Sequence, residues 1–536
     1  MTWGTAERST LAEVVERQAE KYGAKTCAYV DGSAITYTQL HRLSNAYANA
    51  LSKLGLRRAE CVAVLMENCV EMVYIWIAAA KLGAIEVAIN SAYKGEFLRH
   101  QLAKSQATIV IADASLAPRI LAIIDQLPHI RTLIVRRDNA IEEALPPSAL
   151  TLVDIAELST ADQSRVEAEP PRWDDPCTVQ FTGGTTGLSK GALMTQNQLV
   201  SVAHDFIDAT SIGETDVLYA PLPLFHLNAK VCVLLQAILA GGTAVVDRRF
   251  SVSRTWEQVR RYNATGMSIL GSMALMLWNL PPEPSDANLP IRFIIGLPIP
   301  AHLHNAMEER YHCRLILAYG TSESGTLTLS TMESPATPGS SGRPLPNREI
   351  RLVDADDREV PIGAVGEVIC RPRQPHVMFE GYFRDPEATL EAFRGLWFHT
   401  GDLGRFDQDG NFYFVDRKKD SIRRRGENVS SIEVEECLLK HPAVLEVAAH
   451  AVASEFTEDD IKVCVITRPD RALTEHDLMG YCVASMPFFA VPRYVEFVTD
   501  LPRSPVGRVL KHVLRERGIT PQTWDRDAAG YQVPRR

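Results

Sequence analysis

A chain of 536 residues is too long for one hydrophobic core, so two or more domains are expected, and 46% hydrophobic residues suffice to bury them. Charged residues make up 23% and the formal net charge is −10. That balance lacks the basic excess of a phosphate-backbone binder and argues against nucleic acid as a partner.

The opening MTWGTAERSTLAEVV contains Glu7 and Glu13 and has neither a basic start nor an apolar run. It does not read as a secretory signal, and the mature chain is expected to start here. Residues 10–22 are expected to form an amphipathic helix, with Leu11, Val14, Val15, Ala19 and Tyr22 on one face, Thr10 and Glu13 as a capping box and Gly23 as the stop. Short β-rich runs follow at 61–65, 108–112, 132–135 and 243–246, separated by helical stretches such as 67–82. This alternation predicts layered α/β subdomains with a doubly wound arrangement. The longest apolar stretches, 73–89 and 231–246, are interrupted by Lys81 and Gly83 and by Gly241 and Gly242. They fall short of the roughly 20 residues that span a bilayer and are expected to be buried core.

From about residue 349 the texture changes to Gly/Pro-punctuated β segments at 351–353, 367–370 and 411–415, which predicts a β-rich subdomain over about 345–416. A basic run, DRKKDSIRRRG at 416–426, precedes mixed α and β that includes 444–452 and 461–466. The boundary is therefore placed here, with a large N-terminal domain over 1–416 and a small mobile α+β C-terminal domain over 417–536. Ten cysteines lie between Cys27 and Cys482 without a CxxC pair or a Cys/His cluster of zinc spacing. Reduced thiols in a cytoplasmic protein are expected.

The most informative segment is FTGGTTGLSKG at 181–191. Three threonines (Thr182, Thr185, Thr186) and three glycines (Gly183, Gly184, Gly187) lead to Lys190. Such a loop can wrap backbone N–H groups, hydroxyls and an ammonium around phosphate oxygens, although a plain Gly/Thr turn has the same composition. It is not a Walker A loop, because no glycine at the required spacing precedes a Lys-Ser/Thr pair.

This loop resembles the T-S-G-T-T-G-x-P-K-G signature of the adenylate-forming superfamily of acyl-CoA ligases, luciferases and peptide-synthetase adenylation domains. Further motifs follow in that family's order: LPLFH at 222–226, YGTSE at 319–323, WFHTGD at 397–402, DRKKDSIRRRGENVSSIEVE at 416–435 and LPRSPVGR at 501–508. Within the superfamily the chain is most similar to carnitine/crotonobetaine-type acyl-CoA ligases, through NSAYKG at 90–95 and RRRGENVSSIEVE.

The resemblance implies two reactions in one rebuilt site: ATP and a carboxylic acid give acyl-AMP, then the C-terminal domain rotates and coenzyme A attacks. Thr182 through Gly187 and Lys190 would hold phosphates. Tyr319, with Gly320 and Thr321, would stack on adenine, while Asp402 and Arg417 would serve the ribose and the hinge region around Lys419. Ser322 would touch the α-phosphate and Glu323 would hold Mg²⁺ through a hard carboxylate oxygen. His226 would sit by the acid's carboxylate. Gly426, with Glu427, would border the pantetheine arm, and Arg424 or Arg425 would meet coenzyme A phosphates; a solvated arginine surface is the alternative. Asn228, Gly296, Leu297 and Pro298 would line the acyl pocket, which leans toward a bulky, mostly apolar acid.

Three positions depart from the family pattern. Arg508 stands where the adenylation lysine belongs, Gly183 replaces a serine of the phosphate loop, and Ser189 replaces its proline. A wide guanidinium fork does not substitute for a compact ammonium at a tight transition state. Adenylation is therefore expected to be impaired. Thioesterification of an acyl-adenylate supplied by a separate adenylating enzyme becomes the leading expectation. The alternatives are an ordinary two-step ligase sustained by Arg508 or nearby Lys511, a carrier-protein loading enzyme, and a non-catalytic acyl-adenylate binder. No membrane span is expected, and a homodimer is compatible with similar ligases.

Overall fold

The computed structural model describes residues 8–137, 149–182, 188–297, 299, 301–417, 421–424, 427–454, 458–502, 509 and 511–534. The first helix, Leu11–Tyr22, starts where its cap dictates: Thr10 Oγ1 accepts from Glu13 N at 3.1 Å and Glu13 Oε2 accepts from Thr10 N at 2.8 Å. Its buried face, led by Leu11, Val14 and Val15, joins a core between two large sheets.

Among the described residues one sheet has seven strands, in the order Thr151–Asp154, Thr132–Arg136, Ile109–Asp113, Cys61–Leu65, Ile85–Ala88, Pro176–Thr182 and Lys190–Thr195. All its pairings are parallel except the last, an antiparallel hairpin. That hairpin carries the glycine-rich segment as its connection. The second sheet has nine strands, and its parallel centre runs from Arg314–Thr321 through Phe293–Leu297, Gly266–Leu270, Val217–Ala220 and Thr243–Val246 to Thr26–Val30. Strands buried on both faces read as continuous apolar runs, as CVAVL does at Cys61–Leu65. The expected layered α/β subdomains are these two sheets, which share a helical filling. The helix Val70–Lys81 is apolar nearly all round because it lies inside that filling, with Trp76 fully enclosed.

The predicted β-rich subdomain is an antiparallel sheet of Arg348–Val353, Gly366–Pro372, Phe393–Arg394, Trp397–Phe406 and Phe412–Arg417. After it come the hairpin Ser421–Arg424/Glu427–Ser430 and a four-stranded sheet led by Val444–Ala453 and Asp459–Thr467. Period-two alternation splits that sheet's faces. Val447, Ala449, Val463 and Val465 pack with Phe97 of the N-terminal domain, whereas Ala448 and Cys464 face the other way, onto Leu501, Val509 and Leu514.

Candidate active site

Tyr319 lies near the end of the strand Arg314–Thr321, and Asp402 lies on Trp397–Phe406. The structure brings them together: Tyr319 Oη donates to Asp402 Oδ2 at 2.9 Å and to Thr400 Oγ1 at 3.4 Å, with the ring 4.7 Å from that of Phe412. Burial, reinforced by the Asp402 charge, pushes the Tyr319 hydroxyl well above its usual range, so it remains a donor. Arg417 is the register partner of Asp402 across the neighbouring strand. The glycine between Tyr319 and Thr321 is required by sterics, since a Cβ on Gly320 would lie 2.2 Å from the Gly325 carbonyl oxygen.

Glu323 is buried and held from three sides. Its Oε1 accepts from Thr182 Oγ1 at 3.0 Å and Tyr382 Oη at 3.2 Å, and its carbonyl accepts from Phe379 N at 2.8 Å. Gln198 Nε2 donates to the Ser322 carbonyl at 3.0 Å. Glu323 Oε2 makes no hydrogen bond or ion pair among the described residues, which fits a hard oxygen reserved for a divalent cation. Lys190 lies over the Tyr382 ring, its Nζ 5.1 Å from the centroid. Tyr382 therefore joins the phosphate-side lysine to the carboxylate, and it belongs to a segment whose backbone bridges to Ala192. Sequence reasoning missed Tyr382 and Gln198. The signal available was the GYFRDP run at 381–386.

His226 precedes the short helix Leu227–Ala229, where Asn228 Oδ1 accepts from Ser268 Oγ at 2.7 Å. The helix then continues as a π-helical turn, Lys230–Leu235, a winding common at functional sites. Lys230 is enclosed, with its ammonium 2.5 Å from Glu86 Oε2 and 5.4 Å from the Trp76 ring centroid. Gly296 is buried, and a side chain there would collide with Ile299 at 2.3 Å. A side chain at Gly296 would therefore point at Ile299.

Two domains meet at His226. Its Nε2 lies 3.0 and 3.1 Å from the two oxygens of Glu427, across 201 residues of sequence. A carboxylate only accepts, so Nε2 carries the proton. Glu427 was assigned to coenzyme A from the sequence; here it touches the histidine. Ser189, at the start of the strand leaving the phosphate loop, donates its N–H to Glu433 Oε1 at 2.7 Å.

The assignment of Arg424 to coenzyme A phosphates is corrected. Arg424 is 2% exposed, pairs with Asp460 at 3.1 Å and donates to the Val491 carbonyl at 2.5 Å, so it is a structural part of the C-terminal domain. Strand alternation turned it inward, which a run of three arginines conceals. Lys511 is likewise engaged, 2.6 Å from Glu435 Oε1 and 2.8 Å from Ser431 Oγ. Gly183, Gly184, Thr185, Thr186, Gly187, Pro298, Lys419, Arg425, Gly426 and Arg508, and the side chains of Leu297 and Arg417, lie outside the described residues.

Comparison with known proteins decides the family. A model described as AMP-binding enzyme matches residues 15–383, and one described as AMP-binding enzyme C-terminal domain matches 433–508. The chain belongs to the AMP-binding enzyme family. A crotonobetaine/carnitine–CoA ligase of Salmonella paratyphi A is 30% identical to this AMP-binding enzyme over 520 residues, covering 94% of this chain and 98% of that protein. The anthranilate CoA ligase AuaEII, solved with anthranoyl-AMP, is 25% identical with a TM-score of 0.71, covering 95% of this chain and 97% of the other. A double mutant of o-succinylbenzoate CoA synthetase from Bacillus subtilis, solved with a product analogue, has a TM-score of 0.80 at 24% identity, covering 94% and 98% of the two chains. This AMP-binding enzyme is an acyl-CoA ligase-type, adenylate-forming protein.

Proposed function

We propose that the chain mainly catalyses the second half of the ligase reaction, in which coenzyme A and an acyl-adenylate give an acyl thioester and AMP. The thiol sulfur bonds to the acyl carbonyl carbon, the carbon–oxygen bond to the adenylate phosphate breaks, and the thiol proton is released to solvent. One observation carries this reading: the Glu427 carboxylate lies against His226 at 3.0 Å, so the loop expected to border the pantetheine arm adjoins the histidine expected to border the acyl group. Domain alternation about residues near Lys419, between domains spanning 1–416 and 417–536, is part of the same reading.

The ATP-dependent step is weak in this reading because Arg508 and Gly183 both alter groups used on the triphosphate. The second reading, an ordinary two-step ligase sustained by Lys511, is disfavoured by the commitment of that ammonium to Glu435 and Ser431. Glu323, whose Oε2 has no hydrogen bond or ion pair among the described residues, would hold Mg²⁺, which supplies charge neutralisation at phosphate oxygens. Asp402 would bind the ribose, and Tyr319, held by Asp402 and backed by Phe412, would present its remaining face to adenine.

The acid is taken to be a carboxylic acid in the size range of the substrates named for the relatives, and a separate adenylating enzyme would supply its adenylate. No helix among the described residues is long and apolar enough to cross a membrane. Ten free, buried cysteines support a reducing, cytoplasmic setting.

The test is Arg508→Lys. Pyrophosphate release from acid plus ATP is expected to be slow in the wild type and to rise at least tenfold in the variant. Wild-type release as fast as thioester formation would remove the proposal.

A further inference from the structure

Ser189 occupies the position where the family's phosphate loop carries proline, and the structure gives that departure a use. Its backbone N–H, which a proline lacks, donates to Glu433 Oε1 at 2.7 Å in a contact buried on both sides. The bond joins residues 244 apart, one at the exit of the phosphate loop and one in the helix Ser431–Leu439 of the C-terminal domain. A carboxylate accepting a buried N–H makes a short, charge-assisted bond. The Ser189 carbonyl is fixed as well, 2.9 Å from His100 Nε2. Burial lowers the His100 pKa, so the ring is neutral near pH 7 with its proton on Nε2 for the donation.

We infer that Glu433 is a positioning residue for thiol transfer: it clasps the N–H that proline would abolish and so docks the C-terminal domain on the strand leaving the phosphate loop. The inference rests on the thioester-forming reading above and deepens it. Any rotation of the C-terminal domain away from that strand breaks this bond, which biases the domains toward the docked arrangement. The serine-for-proline, Arg508 and Gly183 departures then act in one direction, each favouring the second half-reaction over the first. Around the clasp, Lys440 pairs with Glu96 at 2.8 Å and the Tyr93 and Phe489 rings meet at 6.0 Å, so the same face is supported on its rim.

The experiment compares the wild type, Ser189→Pro, Glu433→Ala and the double variant in two readouts. The first is amide hydrogen exchange of the peptide containing residue 189. The second is the single-turnover rate of thioester formation from coenzyme A and whichever of benzoyl-, cinnamoyl- and crotonyl-adenylate the wild type turns over fastest. Glu433→Ala is expected to reduce amide protection at residue 189 at least tenfold while the strand Cys61–Leu65 keeps its protection. Each single variant is expected to slow thioester formation about tenfold, with the double variant no slower than either. Unchanged protection in Glu433→Ala, or losses that multiply in the double variant, overturns the inference. If instead the wild type uses acid plus ATP as fast as the adenylate, the reading under Proposed function fails, and the protection and coupling data still decide the clasp.

Discussion

His226 Nε2 and the Glu427 carboxylate meet at 3.0 Å, the histidine from the turn before Leu227–Ala229 and the glutamate from the hairpin strand Glu427–Ser430. The contact exists only while the two domains are docked. Glu427→Ala is therefore expected to slow thioester formation from a presynthesised adenylate about tenfold, equivalent to roughly 1.4 kcal/mol. Glu427→Gln, which keeps an oxygen acceptor, should lose less. Rapid-quench single turnovers at saturating adenylate separate the two, and equal rates for Ala and wild type would show that the pair is idle.

Tyr382 Oη donates to one oxygen of Glu323, and under the proposed function the other oxygen would hold Mg²⁺. The Tyr382→Phe variant keeps the ring under Lys190 but removes the hydroxyl. The Mg²⁺ concentration for half-maximal ATP–pyrophosphate exchange should rise several-fold with little change in thermal stability. A matching loss with the adenylate as substrate would place Tyr382 outside metal positioning.

The enclosed Lys230–Glu86 pair, with Glu86 Oε1 lacking a hydrogen-bond partner among the described residues, supports the helical turn that follows Asn228. Breaking one half of a buried pair costs about 3–5 kcal/mol, whereas apolar replacement of both is far milder. Glu86→Leu alone should lower the melting temperature strongly, and adding Lys230→Met should recover much of the loss. Calorimetric scans of the three proteins check the order.

In the C-terminal domain, burial lowers the pKa of His450 from 6.5 to about 4. The neutral ring is favoured in the folded state, so between pH 6.5 and 4 the unfolded chain binds more protons. Stability from this group is complete above pH 6.5 and is lost as pH falls toward 4, by about 3 kcal/mol at 1.36 kcal/mol per pKa unit. Urea unfolding followed from pH 7 to 4.5 should show a shallower decline in His450→Leu. Identical slopes would refute the assignment.

Local signals were legible in the sequence: the Thr10/Glu13 cap, the apolar strand Cys61–Leu65 and the β-punctuated run after residue 349 all became the expected elements. Tyr319 and Asp402 were each singled out by their motifs, but the hydrogen bond between them was not. What sequence could not supply were contacts set by tertiary packing over long separations. The residue partners Glu323–Tyr382, Ser189–Glu433 and His226–Glu427 join segments 59, 244 and 201 residues apart. The inward turn of Arg424 was hidden for a related reason, because only its pairing with Asp460 reveals which face of the hairpin is buried. The two-sheet division was obscured because strands from both sheets are equally apolar.

The most direct test of the account is the ratio of two rates measured with one acid on the wild-type chain: thioester formation from presynthesised acyl-adenylate plus coenzyme A, against that from free acid, ATP, Mg²⁺ and coenzyme A. The account predicts that the adenylate is converted at least a hundredfold faster, in line with the effect of misplacing one transition-state donor. Rates within a few-fold of each other would contradict it and establish an ordinary two-step ligase.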